Sequence, residues 1–288
     1  MMEDNLLEKM GSPPKVFYRL NKTSGLKLSQ AFALTEEEIN FLKEYFLLIT
    51  EMGIRLEGLK ALQFWCERQK LPIEKTAKEF IKTQKKYLQY FLEDGMIDGT
   101  EKLLKTKGFE TVAIDQLFYC DFYAIERFGK TKPGTLLHFA NHGQNRPLMQ
   151  EIISLTKERL VQLVEKNNID AVGYIPPTIK RQLQIMSVLQ KGYNLSLPHI
   201  NLLKVSGAIP VPQKALNKIE DRISNPKVSI IVKDTRQFNT ILLIDDAVGS
   251  GATIDETAVK IKKKGVAKKV FGLAITGSFK EFDVIQEV

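Results

Sequence analysis

Cysteine and histidine are scarce in this chain, which has two cysteines and three histidines among its 288 residues. Cys66 and Cys120 are far apart and form no CxxC pair. This scarcity argues against a disulfide-stabilised scaffold and against a zinc finger, and it is typical of a protein from a reducing compartment. We therefore expect both cysteines to be small, buried core residues.

Long hydrophobic runs are also missing, because no segment approaches the roughly 18 consecutive apolar residues that span a bilayer. The opening residues, MMEDNLLEKMGSPPKVFYRL, carry acids where a secretory signal has basic residues. We expect a cytoplasmic protein with no membrane partner. The composition, with 43% hydrophobic and 26% charged residues, is typical of a globular chain that buries a core.

The net charge of +8 is concentrated in one part of the chain. Residues 1–110 hold 18 basic and 17 acidic side chains, whereas residues 111–288 hold 24 and 17. A basic surplus attracts a polyanionic small ligand or a nucleic acid. The densest run, Lys260 to Lys264, precedes Gly265, and at such a helix end the cations complement the helix dipole.

The first third of the chain has helical periodicity. Thr35 and Glu38 form a capping-box pattern, and Pro72 suits the first turn of a later helix. Three helices are predicted, over residues 36–53, 56–68 and 72–95. We expect an α-helical N-terminal domain over residues 1–110. A DNA-binding helix-turn-helix is an alternative there, although the near-neutral charge of this region argues against a phosphate-tracking surface.

After residue 110, short apolar runs alternate with helical segments. The predicted strands lie within residues 111–129, 169–177, 199–205, 228–232, 240–244 and 268–277, and the predicted helices cover 145–166 and 252–264. This alternation is typical of an α/β domain with a largely parallel sheet covered on both faces. We expect that domain to occupy residues 111–288.

One stretch, ILLIDDAVGSGAT, combines features that suit a sugar phosphate. Its apolar run, residues 241–244, has the character of a central strand, and ligands of such sheets bind beyond the carboxyl ends of the strands. Asp245 and Asp246 follow directly. An adjacent carboxylate pair is costly to bury, so it needs solvent, cations or hydroxyl donors. Sugar hydroxyls and a magnesium-bound ligand meet that need.

The loop that follows supplies small residues and hydroxyl groups. Gly249 and Gly251 permit positive φ and a close approach of a ligand, while Ser250 and Thr253 add hydroxyls. Backbone N–H groups at the start of the next helix can bind an anion. The loop lacks the lysine of a Walker A motif and the third glycine of GxGxxG.

This stretch resembles the phosphoribosyl pyrophosphate (PRPP) motif of type I phosphoribosyltransferases, which has an apolar strand, two acids and a small-residue loop ending in threonine. The resemblance implies the type I phosphoribosyltransferase fold, with Asp245 and Asp246 holding the ribose hydroxyls. The implied 5′-phosphate loop consists of Val248, Gly249, Ser250, Gly251, Ala252 and Thr253. Gly249 and Ser250 replace a common Thr-Thr pair, which removes one hydroxyl donor.

The segments YIPPTIKRQ, KGYN and IPVPQKALNKIEDRISN are similar to signatures of the ComF-like branch of that family. The resemblance places Lys180, Arg181 and Arg222 near the pyrophosphate, with Arg222 on a loop that closes over the site. The four-cysteine zinc module of many ComF-like proteins is missing from this sequence.

The resemblance further implies Mg²⁺ as cofactor, with Asp245 and Asp246 as its protein ligands, and displacement of pyrophosphate from ribose C1 by a nitrogen acceptor. The acceptor, a nucleobase or an amine, is not encoded in the motif, and members of the family often form homodimers. A non-catalytic protein of the same fold, either a PRPP sensor or an accessory factor in DNA uptake, is one alternative. Another phosphate-binding α/β enzyme, such as a nucleotide hydrolase, is a second.

Overall fold

The structure is a computed structural model, and the residues it describes are 7–10, 17–20, 33–105, 111–177, 179, 181–205 and 230–278. Their contacts divide the chain into two compact units. One unit comprises Met1–Thr50 with Ile54–Lys82, and the other comprises Glu51–Gly53 with Thr83–Val288. The domain boundary predicted at residue 110 stays a prediction.

The described residues of the first unit form helices and two antiparallel strand pairs. Its strands are β1 (Leu7–Met10), β2 (Phe17–Leu20), β3 (Leu47–Ile49) and β4 (Arg55–Glu57), paired β1 with β2 and β3 with β4. Its helices are α1 (Glu36–Tyr45), α2 (Gly58–Gln69) and the first turns of α3 (Ile73–Leu88). A purely helical N-terminal domain is therefore not confirmed.

The predicted capping box at the start of α1 is present. Thr35 Oγ1 accepts a hydrogen bond from the backbone N–H of Glu38 at 3.2 Å, and Glu38 Oε2 accepts one from that of Thr35 at 2.8 Å. The predicted extension of this helix to Gly53 is wrong. Gly53, at φ 77°, lies in the turn of the β3–β4 hairpin, which the side chain of Thr50 closes by accepting a hydrogen bond from the backbone N–H of Ile54.

The second unit is a mixed α/β structure with a five-stranded, mostly parallel sheet, as the sequence predicts. The strand order is β5-β6-β11-β10-β7, and only the pairing of β5 with β6 is antiparallel. The strands are β5 (Ile97–Asp98), β6 (Gln116–Phe122), β7 (Ala171–Tyr174), β10 (Phe238–Val248) and β11 (Ala267–Gly277). A separate antiparallel pair consists of β8 (Leu202–Lys204) and β9 (Ile230–Val232).

Five further α-helices lie in the described part of this unit. They are α4 (Thr100–Lys105), α5 (Lys132–His142), α6 (Arg146–Lys166), α7 (Ile185–Tyr193) and α8 (Ala252–Lys263). The prediction of α6 is accurate to one residue, with Asn145 as its N-cap, whereas α4, α5 and α7 were not predicted. Throughout the parts of the chain that the structure describes, no helix is both long enough and apolar enough to cross a membrane.

The core of the sheet lies along β10 and β11. Residues 241–244 are completely buried between β11 on one side and β7 on the other. A continuous apolar run, rather than an alternating one, is required where both faces of a parallel strand are covered.

Helix α8 is fixed by polar contacts near both of its ends, one set to the segment before β6 and the other to β9. In its first turn, the buried carboxylate of Asp255 accepts hydrogen bonds from the backbone N–H groups of Ala113, at 2.7 Å, and Ile114, at 3.0 Å. In its last turns, Lys260 Nζ and Lys264 Nζ donate to backbone carbonyls of β9. The lysine run therefore bonds to the protein itself, which favours a structural role over a nucleic-acid surface.

We expect Asp255→Ala to lower the free energy of unfolding by about 2–3 kcal/mol, because it leaves two amides of the segment before β6 without their acceptor in a buried position. Urea denaturation measures the change. Lys263→Ala, which removes an exposed side chain from the same helix, is the control, and equal stability of the two variants would contradict the prediction.

Candidate functional site

The two strands that flank β10 have different lengths, and this difference creates the site. Pairing with β7 stops at Ile244 and Tyr174, whereas pairing with β11 continues to Val248 and Gly277. Asp245 and Asp246 therefore lie within β10 rather than after it, which corrects the expectation that they follow the strand. They stand where β10 has lost one neighbour, and both are half-buried.

The two carboxylates are oriented by the backbone that follows them. The N–H of Asp246 donates to Asp245 Oδ1 at 2.9 Å, and the N–H of Ala247 donates to Asp246 Oδ1 at 2.8 Å. The ammonium group of Lys204, at the end of β8, interacts electrostatically with Asp245. Burial lowers the pKa of Lys204, and the charge of Asp245 opposes that shift.

Asp246 is connected to Arg181 through Asn141, a residue near the end of α5. Asn141 Nδ2 donates to Asp246 Oδ2 at 3.1 Å. Arg181 Nη1 donates to the backbone carbonyl of Asn141 at 2.6 Å and also to its side-chain Oδ1. The arginine thereby fixes the orientation of the amide, so that its NH₂ group points towards the carboxylate.

Tyr123 and His138 lie next to this chain of hydrogen bonds. The hydroxyl of Tyr123 is 3.4 Å from His138 Nδ1. Burial raises the pKa of Tyr123 to about 12, and the charge of Asp246 adds to the shift. Burial lowers the pKa of His138 to about 4, helped by Lys130 and His142. At neutral pH the tyrosine is therefore protonated and the imidazole of His138 is neutral.

The predicted phosphate loop, residues 248–253, is a short connection from β10 into α8. Val248 ends the strand and Ala252 begins the helix, with Gly251 between them in the left-handed region at φ 83°. Gly249 does not adopt a positive φ, so the predicted conformational role applies to Gly251 alone. Ser250 is buried, and its Oγ accepts a hydrogen bond from the N–H of Ala252 at 3.3 Å.

Helix α4 contacts this loop from a part of the chain that lies far away in sequence. Lys102 Nζ donates a hydrogen bond to the carbonyl oxygen of Gly249, 147 positions later. The side chain of Leu103 packs against Gly251 so closely that a Cβ added there would lie 2.5 Å from Leu103 Cδ1. Glycine is thus required at residue 251 both by its φ and by its neighbour.

The predicted site residues are partly brought together. Asp245 and Asp246 lie near the end of the same strand that leads into the loop 248–253. Arg181 is connected to Asp246 through Asn141. Lys180 and Arg222 lie outside the described residues. Predictions about their roles stay predictions.

Several described residues at this edge of the sheet were missed by the sequence analysis. Among them are Lys102, Tyr123, His138 and Asn141. None belongs to a recognisable motif, and only the fold brings them to Asp246 or to the loop. The N-cap signal of α5, in which Thr131 accepts a hydrogen bond from the N–H of Gly134 and Pro133 stands in the first turn, could have placed the last two on one helix.

Asp121 lies at the same carboxyl edge of the sheet, opposite Thr276 of β11. Burial raises the pKa of its carboxyl group to about 7, although the N–H of Phe122 and the charge of Arg159 oppose the shift. Its carboxyl group therefore changes charge near neutral pH.

Within the described ranges, no three His, Cys, Asp or Glu side chains form a group that could hold a metal ion. A cation at Asp245 and Asp246 would therefore need additional ligands from a bound molecule. Mg²⁺ suits that arrangement, because it is commonly held by one or two carboxylates together with substrate phosphate oxygens and water.

No family model matches the chain, and no curated protein matches it significantly. Among solved structures, the chain is similar to a hypoxanthine phosphoribosyltransferase from Staphylococcus aureus, with 15% sequence identity and a TM-score of 0.28. The match covers 45% of this chain and 65% of that enzyme. At that TM-score the two backbones have too little in common for the likeness to support an argument about function.

We expect the pKa of Asp121 to make the stability of the protein depend on pH. The folded-state pKa of about 7 exceeds the unfolded value of 3.8, so the folded protein holds a proton on Asp121 more tightly than the unfolded chain does. The contribution of this group to the free energy of unfolding is therefore fully present below about pH 4 and is lost as the pH rises to about 7. The free energy of unfolding of Asp121→Asn should exceed that of the native protein by about 1 kcal/mol more at pH 8 than at pH 5. This value is discounted because the side chain is partly exposed.

Urea unfolding at the two pH values tests this difference. Glu158→Gln, which neutralises an exposed carboxylate on α6, is the control. The prediction fails if Asp121→Asn changes stability by the same amount at both pH values.

Proposed function

We propose that this protein binds PRPP with Mg²⁺ at the carboxyl edge of its sheet and that it acts as a phosphoribosyltransferase of the type I fold, in the ComF-like branch. The observation that carries the proposal is the half-buried pair Asp245 and Asp246, which lies in the same strand that leads into the loop 248–253. A diol-binding pair and an anion-binding loop thus adjoin each other, as a ribose 5-phosphate requires.

The carboxylates suit the ribose part of the substrate. Two adjacent hydroxyl groups can each donate a hydrogen bond to an ionised carboxylate, and such charge-assisted bonds are stronger than neutral ones. The hydrogen bond from Asn141 to Asp246 Oδ2 limits how the carboxylate can rotate. The half-buried environment strengthens these bonds relative to a fully exposed site.

The loop suits the 5′-phosphate. Backbone N–H groups at the start of a helix are directed at an anion, and the helix dipole favours negative charge there. The carboxylate of Asp255, in the first turn of α8, is bonded to the amides of Ala113 and Ile114. The hydroxyl group of Thr253 is one further candidate donor.

Mg²⁺ would be held by Asp245 and Asp246 together with oxygens of the substrate, and it would neutralise charge on the departing pyrophosphate. In the proposed reaction, the bond from ribose C1 to the pyrophosphate oxygen breaks and a bond from C1 to the acceptor nitrogen forms. Pyrophosphate leaves with the bonding electron pair, and the acceptor loses a proton. The negative charges of Asp245 and Asp246 would stabilise the positive charge that develops on the ribose.

Arg181 is the proposed cation for the pyrophosphate, together with Lys180 and Arg222. Its connection to Asp246 through Asn141 supports this role. The pyrophosphate of PRPP is attached to C1 of the ribose, beside the hydroxyls that the carboxylates would hold. His138, which is neutral at pH 7 and lies 3.4 Å from the Tyr123 hydroxyl group, is a candidate to accept the acceptor's proton.

We expect Asp245→Asn combined with Asp246→Asn to weaken PRPP binding in the presence of Mg²⁺ at least 100-fold, because two hydrogen bonds to charged acceptors are each worth about 1.5–3 kcal/mol. Titration calorimetry measures the affinity. Glu158→Gln with Glu165→Gln removes the same charge from the exposed face of α6 and is the matched control.

Unchanged affinity in the aspartate variant would overturn the proposal. If PRPP binds but a panel of nucleobases and amines yields no pyrophosphate above the level of the aspartate variant, the protein is a PRPP-binding regulator rather than a transferase.

We expect Asn141→Ala to weaken PRPP binding about fivefold, because Asp246 loses a fixed donor and Arg181 loses its anchor, at a cost of about 1 kcal/mol. The same calorimetric titration tests this effect. Asn239→Ala, at the opposite end of β10 and exposed, is the control. An affinity equal to that of the control would show that Asn141 does not orient the site.

A further inference from the structure

Helix α4 is held in place by hydrogen bonds to the sheet that do not involve its lysines. The N–H of Gly99 donates to the carbonyl of Leu117 at 2.7 Å, and Thr100 Oγ1 accepts from the N–H of Leu117 at 2.9 Å. Both contacts bind the start of α4 to β6. The backbone position of Lys102 is therefore fixed independently of its own side chain.

Leu103 fixes the other side of α4 against the loop. It is almost fully buried, and it fills the space that a side chain at residue 251 would need. This contact packs the loop against α4. It thereby keeps the carbonyl of Gly249 within hydrogen-bond distance of the neighbouring Lys102 side chain.

The hydrogen bond from Lys102 determines the orientation of one peptide unit in the loop. The carbonyl of Gly249 and the N–H of Ser250 belong to the same planar, trans peptide, so they point in opposite directions. Since the carbonyl points towards α4, the N–H of Ser250 points away from it. A Cβ built on Gly249 would meet nothing within 4 Å, so there is open space beside this peptide.

The charge of Lys102 also affects that peptide. A cation bonded to the carbonyl oxygen polarises the amide and makes the N–H on its other side a stronger donor. It adds positive charge next to a loop whose own residues carry none. Lys105, on the same helix, is different, because it is exposed and forms an ion pair with Glu101.

We propose that Lys102 is the positioning residue of an anion-binding site at the loop 248–253, where it orients the Gly249–Ser250 peptide towards the phosphate group of a sugar-phosphate ligand. The inference rests on the proposed function. It assigns to helix α4 the cation that the loop sequence lacks.

The test compares Lys102→Met, Lys102→Arg and Lys105→Met with the native protein, using PRPP, ribose 5-phosphate and pyrophosphate as probes in the presence of Mg²⁺. We expect Lys102→Met to bind PRPP and ribose 5-phosphate about tenfold more weakly, with pyrophosphate affinity unchanged within twofold. Lys102→Arg should recover most of the loss, because it restores a donor and a charge. Lys105→Met should bind all three probes like the native protein.

The melting temperature of Lys102→Met separates a positioning role from a structural one. Weaker PRPP binding at an unchanged melting temperature supports positioning. If Lys102→Met weakens all three probes equally, or weakens none, the inference is overturned. The same holds if Lys105→Met has the same effect as Lys102→Met. If the native protein binds PRPP but Lys102→Met does so equally well, the proposed function stands and only the role of Lys102 fails. If the native protein does not bind PRPP, the proposed function fails first and the role of Lys102 fails with it.

Discussion

The site depends on the unequal length of the two strands beside β10. A carboxylate pair inside a parallel sheet would be intolerable if both neighbouring strands continued past it, because two charges would be buried among apolar side chains. Here β7 ends at Tyr174, while β11 continues to Gly277. The difference in strand length thus keeps the backbone of Asp245 and Asp246 paired on one side and leaves their side chains partly exposed.

The charges around this edge are arranged so that few of them compete. Asp255 is bonded to two amides, and the lysines of α8 bond to β9 and, through Lys262, to Asp115. Lys102, Arg181 and Lys204 contact or approach the loop and the carboxylate pair instead. The basic side chains around this edge therefore form two groups, one that holds α8 and one that lies at the loop and the carboxylate pair.

Local sequence patterns were sufficient to predict the elements that depend only on neighbouring residues. The apolar run of β10, the capping box of α1 and the N-cap of α6 all follow from neighbouring residues, and all are present. The length of β10 could not be predicted in this way, because Asp245 and Asp246 remain in a strand only through pairing with β11. The β3–β4 hairpin was missed for a related reason, since the apolar residues 46–49 fit a helix as well as a strand.

The candidate site was predictable as far as its motif extends. Asp245, Asp246 and the loop are contiguous in sequence, so their proximity follows from one strand and one turn. Lys102 and Asn141 reach them from residues more than 100 positions away. No local signal encodes such contacts, because they depend on how β6 and its flanking helices pack against the sheet.

The strand order has a consequence for how the chain acquires its site during synthesis. Among the five strands, β11 is the last to be made, yet it occupies the position between β6 and β10. Segments of a nascent chain fold as they emerge, beginning with those nearest the N-terminus. Until β11 has been made, β6 and β10 have no strand between them. A chain that ends after Thr253 therefore contains the whole motif but lacks the strand that pairs with Asp245.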